Sequence, residues 1–265
     1  MDTRGIIAYS GRDVARPRYY ANQHDRDLLH MAPTEMDIHS ARGLQTSLDR
    51  EGFVLLNHHS GVQDFTDATQ VNTRHRDEII KLIGQVSGAD QVVVSSPGIL
   101  RFSEKSELSG QLNNSRPARF AHVDISSRTA QEFAQRAAPP NSKLRRYAHY
   151  NVWRVISPPP QDVPLALCDA RSVSEDDLIA ADAIFDAPGQ PEWSFEGLVV
   201  AHHLIHRWHW YPDMNPTEVI VFKTNDSDLS GARCVPHVAF DDHRCGPNVA
   251  PRSSLEMRAL ALGFA

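Results

Sequence analysis

In residues 77–86 (DEIIKLIGQV), Ile79, Ile80, Leu82, Ile83 and Val86 share one broad face at helical spacing. Asp77 and Glu78 fall in the first turn, where the helix dipole favours acids, so this stretch predicts a helix. The second half of the chain has a shorter period. Residues 147–155, 198–211, 218–224, 235–240 and 254–262 are short runs, many rich in Val, Ile, Trp, Tyr and Phe, separated by Pro, Gly, Asn and Asp. They predict strands of a sandwich or barrel. The proline clusters Pro139-Pro140 and Pro158-Pro159-Pro160 read as loops, and no repeat or charge block divides the chain. The expectation is a single domain over 1–265: a helix and strand portion over 1–110 feeding a mainly β core with flanking helices over 115–262.

Composition removes several function classes. With 27 Lys plus Arg against 33 Asp plus Glu the formal charge is −6, and no clustered basic surface of the kind that grips phosphates is visible, so a nucleic-acid partner is not expected. No apolar run approaches a membrane span, and the start has no signal-like apolar core. Cys168, Cys234 and Cys245 are odd in number and lack a CxxC, which fits a reducing compartment, and the expected location is cytoplasmic. What stands out is 14 histidines. Histidine is the commonest metal ligand and the side chain that titrates nearest neutral pH.

His-x-Asp arises easily by chance in such a chain, and it occurs twice. His75-Arg76-Asp77 enters the helix, where residues two apart point to nearly opposite sides, so that pair cannot chelate one ion. His122-Val123-Asp124 lies in the alternating run RFAHVDIS, where residues two apart face the same way and would present an imidazole and a carboxylate to one point. His237 occupies another short β segment, CVPHVAF, and PRSSLEMRALAL follows with two arginines. Two histidines and one carboxylate on converging strands form the facial triad of non-haem Fe(II) oxygenases, leaving positions open for a 2-oxo acid and O₂. The guanidinium of Arg252 or Arg258 could hold a far carboxylate of 2-oxoglutarate bidentately.

These residues carry a family resemblance. AHVDIS, HYNVWRVI, PLALCDARSV, RWHWYPDMNPTEVIVFKTNDS, PHVAF and PRSSLEMRAL, with EGFVLLNHHSGVQDF as a weaker match, resemble Fe(II)/2-oxoglutarate-dependent oxygenases of the double-stranded β-helix (jelly-roll) fold. Within these the chain is most similar to the group holding the cephalosporin 7α-hydroxylase component, gibberellin-desaturase-like proteins and fungal hydroxylase/desaturases. The resemblance covers about residues 45 to 262. It implies Fe(II) bound by His122, Asp124 and His237, with 2-oxoglutarate and O₂ as co-substrates. It implies that Arg252 and Ser254 (the R-x-S pattern) hold the distal carboxylate, and that Arg258 serves the C1 carboxylate. The gap from His237 to Arg252 is longer than in many members, so the choice between the two arginines stays open. The substrate it implies is a small molecule of secondary metabolism, hydroxylated, desaturated or cyclised at an unactivated C–H bond. Asp124 disfavours halogenation, since related halogenases carry a small residue there.

Other residues compete for roles. Asn151 reads equally as a donor to the co-substrate carboxylate or an iron-bound water, and as a satisfied core amide. Trp153, Trp208 and His209 are candidates for the substrate cavity wall. HHLIHRWHW lacks the Glu of a zincin and favours a strand, and His58-His59 reads as an edge or turn pair. Lys223 and Asp226 read as a snorkelling Lys and a turn Asp. The main rival for His237 is a zinc site with Cys234, His243 and Cys245, which would make the chain a zinc-containing or metal-free β-barrel binding protein.

Overall fold

The computed structural model describes residues 1–94 and 96–265. Among the described residues, fifteen strands build two sheets: β1 (Thr3–Ser10), β2 (Arg18–Tyr20), β3 (Met31–Ser40), β4 (Phe53–Asn57), β5 (Gln91–Val94), β6 (Ile99–Phe102), β7 (His122–Val123), β8 (Leu144–Val155), β9 (Leu165–Cys168), β10 (Leu178–Phe185), β11 (Trp193–Val200), β12 (Trp208–Trp210), β13 (Glu218–Asp226), β14 (His237–Ala239) and β15 (Ser253–Phe264). The larger sheet runs β1-β3-β12-β9-β14-β7-β11-β10-β2, and the smaller β4-β13-β8-β15-β5, with β6 also on β15. Phe53, Trp153, Val155, Leu165, Leu167, Ile220 and Phe222 come from both sheets and fill the space between them. Two facing, mainly antiparallel layers with sequentially distant neighbours make the double-stranded β-helix expected; β2 on β10 and β3 on β12 are the parallel pairs.

The expected helix is present as α2 (Arg76–Ser87), led in by the short α1 (Ala68–Gln70) and a π turn, and it stops where Gly88 takes the left-handed conformation (φ 63°). Its Ile79, Leu82 and Ile83 pack on Val152, Met257 and Ala259 of the smaller sheet. On β15 the residues alternate. Leu255, Met257, Ala259 and Ala261 face α2, so Ser254, Glu256 and Arg258 project to the other side, into the molecule.

Several segments depart from the sequence expectation. Residues 198–211 do not form one strand: β11 ends at Val200, residues 201–207 make a loop, and β12 has three residues. The β1–β3 hairpin and α3 (Ser127–Ala137) are not visible in the hydrophobic period. In α3 the apolar residues facing inward are small alanines, and the start is set by the Ser126 side chain, which accepts from the Thr129 backbone N–H. Lys223 does not snorkel. It is buried, and its Nζ pairs with Asp226 at 2.7 Å and Asp49 at 3.0 Å. Among the described residues, no helix is long and apolar enough to cross a membrane.

Candidate metal and co-substrate site

The two-residue strand β7 lies between β14 and β11. In its antiparallel register His122 stands opposite His237, with the imidazole centroids 4.2 Å apart. Asp124 follows directly after β7, and its two carboxylate oxygens lie 3.9 Å from the Nε2 atoms of His122 and His237. The three ligand atoms fall within 4.8 Å of one another and all three residues are buried; no other cluster of this kind occurs among the described residues.

The protonation pattern suits a cation. His122 Nδ1 donates to the Phe120 carbonyl (2.9 Å) and His237 Nδ1 to the Val235 carbonyl (3.1 Å). A carbonyl only accepts, so each ring carries its proton on Nδ1 and turns the Nε2 lone pair towards Asp124. Burial, with His237 alongside, pushes His122 down to about 3, which keeps it a neutral ligand at pH 7. Burial alone would raise the Asp124 carboxyl, but the Arg258 guanidinium, both histidines and Asn151 overcome it and hold the group ionised, well below the usual range. Asn151 Nδ2 donates to one oxygen at 2.6 Å and Arg258 Nη2 to the other at 2.8 Å. Two imidazoles with their Nε2 atoms turned inward and an anchored carboxylate are a donor set that fits Fe(II).

Arg252 stands just before β15 and is almost wholly buried. Its Nη1 donates to Ser254 Oγ at 3.1 Å, but Nε and Nη2 have no partner although they are sealed from solvent. Burial, with Arg101 and Arg119 nearby, pushes this guanidinium down to about 9, so it is still charged at pH 7. A buried cation with idle donors is costly unless an anion meets it, and a carboxylate fits. Arg258, expected at the C1 carboxylate, instead bridges Asp124 and Glu256 (Nε to Oε1, 2.9 Å).

A cavity of about 580 Å³ opens onto His122, Asp124 and Arg258. Its apolar wall is Phe120, Phe185, Phe195 and Ile184, with Tyr19 and Arg101 among its polar groups. Trp153, Trp208 and His209 do not line it. Trp153 is core, with the Arg252 guanidinium 5.8 Å from its ring centre. Trp208 is fully buried against the β1–β3 hairpin and donates to the Tyr9 hydroxyl at 2.7 Å, and His209 packs beside Phe53 and His39. Both expectations counted aromatic residues on β12 without knowing that the hairpin covers that strand. The sequence reading passed over Tyr19, Arg101 and the phenylalanines. An Arg alternating with apolar residues in ILRF was the available signal for Arg101. Gly197 of β11 shapes the same corner: a Cβ there would come within 2.7 Å of the Tyr19 hydroxyl oxygen and 2.9 Å of the Asp124 carbonyl oxygen.

The zinc alternative finds no support. Cys234 and Cys245 are free thiols; Cys245 Sγ sits 3.4 Å from the Gln161 carbonyl, and neither joins His237 in a ligand cluster. The remaining buried histidines have structural partners: His206 pairs with Asp177 at 3.2 Å, His75 with Glu78 at 3.0 Å, and His149 with the Ala130 carbonyl at 3.0 Å.

The chain is similar to several known proteins. Residues 8–262 match the family described as oxidoreductase/YMDC permease-like domain. The hydroxylase/desaturase efuI of Hormonema carpetanum is 30% identical over 244 residues, covering 84% of this chain and 81% of that protein. The Fe(II)/2-oxoglutarate-dependent dioxygenase nvfI of Aspergillus novofumigatus is 26% identical over 200 residues, 74% of this chain and 69% of that protein. The solved iron and alpha-ketoglutarate-dependent endoperoxidase NvfI superposes with a TM-score of 0.84 at 21% identity, over 100% of this chain and 99% of that one, which shows a shared fold. The chain belongs to this oxidoreductase family, the Fe(II)/2-oxoglutarate-dependent oxygenases that include the hydroxylase/desaturases.

Proposed function

We propose that His122, Asp124 and His237 hold Fe(II), and that Arg252, with Ser254 beside it, binds the distal carboxylate of 2-oxoglutarate. The observation that carries this reading is the pairing of a buried His-Asp-His cluster with a buried guanidinium that has two idle donors. With Fe(II), 2-oxoglutarate and O₂ held there, the site would have the chemistry to break an unactivated C–H bond, O₂ being the oxidant and 2-oxoglutarate leaving as succinate and CO₂. The chain's own part is positional. The Phe120 and Val235 carbonyls fix the imidazole tautomers, and Asn151 and Arg258 fix the Asp124 carboxylate. Arg258 thus acts on the ligand rather than on the co-substrate. The phenylalanine wall keeps the cavity apolar and orients a small organic substrate. The product class is hydroxylation, desaturation or cyclisation of a secondary-metabolite scaffold. The three free cysteines suit a reducing compartment such as the cytoplasm.

Anaerobic titration with Fe(II) and 2-oxoglutarate tests the reading. A visible metal-to-ligand charge-transfer band is expected, lost in His122→Ala. A folded wild-type protein that forms no band would overturn it. Zinc retained in Asp124→Ala and lost in Cys234→Ser would support the zinc-binding rival.

A further inference from the structure

Of the arginines that line the cavity, Arg258 is bound to Asp124 and Glu256, Arg119 to Glu104 and Asp241, and Arg116 is exposed to solvent; Arg101 is the partly buried one with no carboxylate. It lies on β6 opposite Ser254 of β15, so its side chain shares the face from which Glu256 and Arg258 project. All of its protein hydrogen bonds fall on one nitrogen: Nη1 donates to the Arg116 carbonyl (2.7 Å), the Asn114 carbonyl (3.2 Å) and Asn114 Oδ1 (3.1 Å). Those contacts hold the guanidinium plane in place. Nε and Nη2 bond to nothing, and because they are not sealed from solvent in a residue that lines the cavity, they face into it. No carboxylate of the described residues lies within ion-pairing distance, since Arg258 occupies both Asp124 and Glu256, and Arg119 occupies Glu104 and Asp241.

The charges of the site lead to the same place. Fe(II) with Arg101, Arg252 and Arg258 outweighs Asp124, Glu256 and a 2-oxoglutarate dianion by one positive charge. Asp162 beside Arg252 is offset by Lys105 at 3.7 Å, so the surplus falls on Arg101, which has no ion-pair partner. Among the other charged residues of the lining, Arg119 and Glu104 pair with each other at 2.7 Å, Arg116 is exposed, and Asp27 accepts from the Tyr20 backbone N–H. Beside Arg101, the Tyr19 hydroxyl has no partner and is near enough to Asp124, Arg258 and Arg101 to feel their charges. A guanidinium edge and a phenol hydroxyl, both directed at an apolar cavity, are donors without an acceptor.

We propose that the oxidised substrate is a carboxylic acid with an apolar body, its carboxylate held by Arg101 and the Tyr19 hydroxyl and its body against Phe120, Phe185 and Phe195. This rests on the iron-site reading, in which Arg252 is already taken by the co-substrate. A charge-assisted bidentate contact in a recessed site favours the charged partner, so an acid should bind about tenfold or more tightly than its neutral ester.

The test uses the full chain loaded anaerobically with Fe(II) and saturating 2-oxoglutarate, and 2-naphthylacetate, its methyl ester and its primary amide as probes. Binding is read from the perturbation of the charge-transfer band. The acid is expected to bind at least tenfold more tightly than ester or amide without displacing 2-oxoglutarate. Arg101→Gln should erase that preference and Arg101→Lys restore part of it, both with a 2-oxoglutarate dissociation constant within twofold of wild type. Acid and ester binding alike, or neither perturbing the band, would overturn the inference. So would displacement of 2-oxoglutarate by the acid, or a tenfold loss of 2-oxoglutarate affinity in Arg101→Gln, which would assign Arg101 to the co-substrate. If the wild type forms no band at all, the iron-site reading itself has failed, and the two failures are thereby distinguished.

Discussion

Replacing Asn151 with Leu separates its two meanings, positioning residue and packed core amide. Leu repeats the heavy-atom count and branching of Asn with bulkier methyl groups, so no cavity opens, and no charge changes. What disappears is the 2.6 Å donation from Nδ2 to an Asp124 oxygen inside the protein. A hydrogen bond to a buried charge is worth about 1.5–3 kcal/mol, and partners behind a metal ligand typically govern about 10–100-fold in affinity. Arg258 still tethers the other oxygen at 2.8 Å, so the carboxylate loses one of two restraints and the lower end applies: about tenfold weaker binding, or ~1.4 kcal/mol. Calorimetric titration of the metal-free protein with Co(II), together with thermal unfolding before and after metal addition, measures both parts. Metal affinity should fall about tenfold, with the ligand-free protein losing ~1–2 kcal/mol because a buried carboxylate oxygen has lost a donor. A stability loss of that size with metal affinity unchanged within twofold would refute the positioning role and leave Asn151 a core residue.

Arg252→Met should abolish the rise in Tm that 2-oxoglutarate produces without lowering the ligand-free Tm, since it removes a buried cation whose Nε and Nη2 are unpaired; a ligand-free Tm several degrees lower would mark Arg252 as a structural ion. Gly197→Ala should weaken Co(II) binding measurably in a protein whose circular dichroism is unchanged, because the added Cβ must displace the Tyr19 ring or the Asp124 backbone; wild-type affinity would show that the corner can yield. Burial pushes His149 down to about 4 from its ordinary value of 6.5. The unfolded chain therefore takes up that proton first as pH falls, and stability held above pH 6.5 is lost on the way down to about 4, by at most ~3 kcal/mol. His149→Gln should flatten unfolding midpoints measured across that interval, and an unaltered slope would place the acid sensitivity elsewhere.

Local pattern reached some features and missed others for physical reasons. The alternation of β15 and β8 was legible because each strand has two chemically distinct buried faces, one against α2 and one towards the site. The two histidines proposed as metal ligands came from spacing and from strand parity, not from the surplus of histidine, most of which is structural or exposed. In 201–207 the same reasoning failed: aromatic and β-branched content suggested a strand, but His206 is claimed by Asp177 and Tyr9, and the backbone turns into a loop. Arg258 was assigned by its register with Arg252, which correctly placed it on the inner face. Its partner was not legible, because Asp124 is more than a hundred positions away and meets it only through the packing of the two sheets. The cavity wall was hidden for the same reason, since Tyr19, Arg101, Phe120, Phe185 and Phe195 come from five separate segments.

The pairing of His122 with His237 across β7 and β14 bears on how the chain folds. Roughly a hundred residues must be looped out before these two imidazoles meet, an entropic cost that grows with the logarithm of loop length and is recovered only when the intervening strands are laid down. Fe(II) therefore cannot act as an early template for this site, because His122, Asp124 and His237 are not brought together in the unfolded chain. It enters a site that the closing sheet has already assembled, and it should slow unfolding of the finished protein far more than it speeds folding. Metal would thus extend the lifetime of the native enzyme without being needed to reach it.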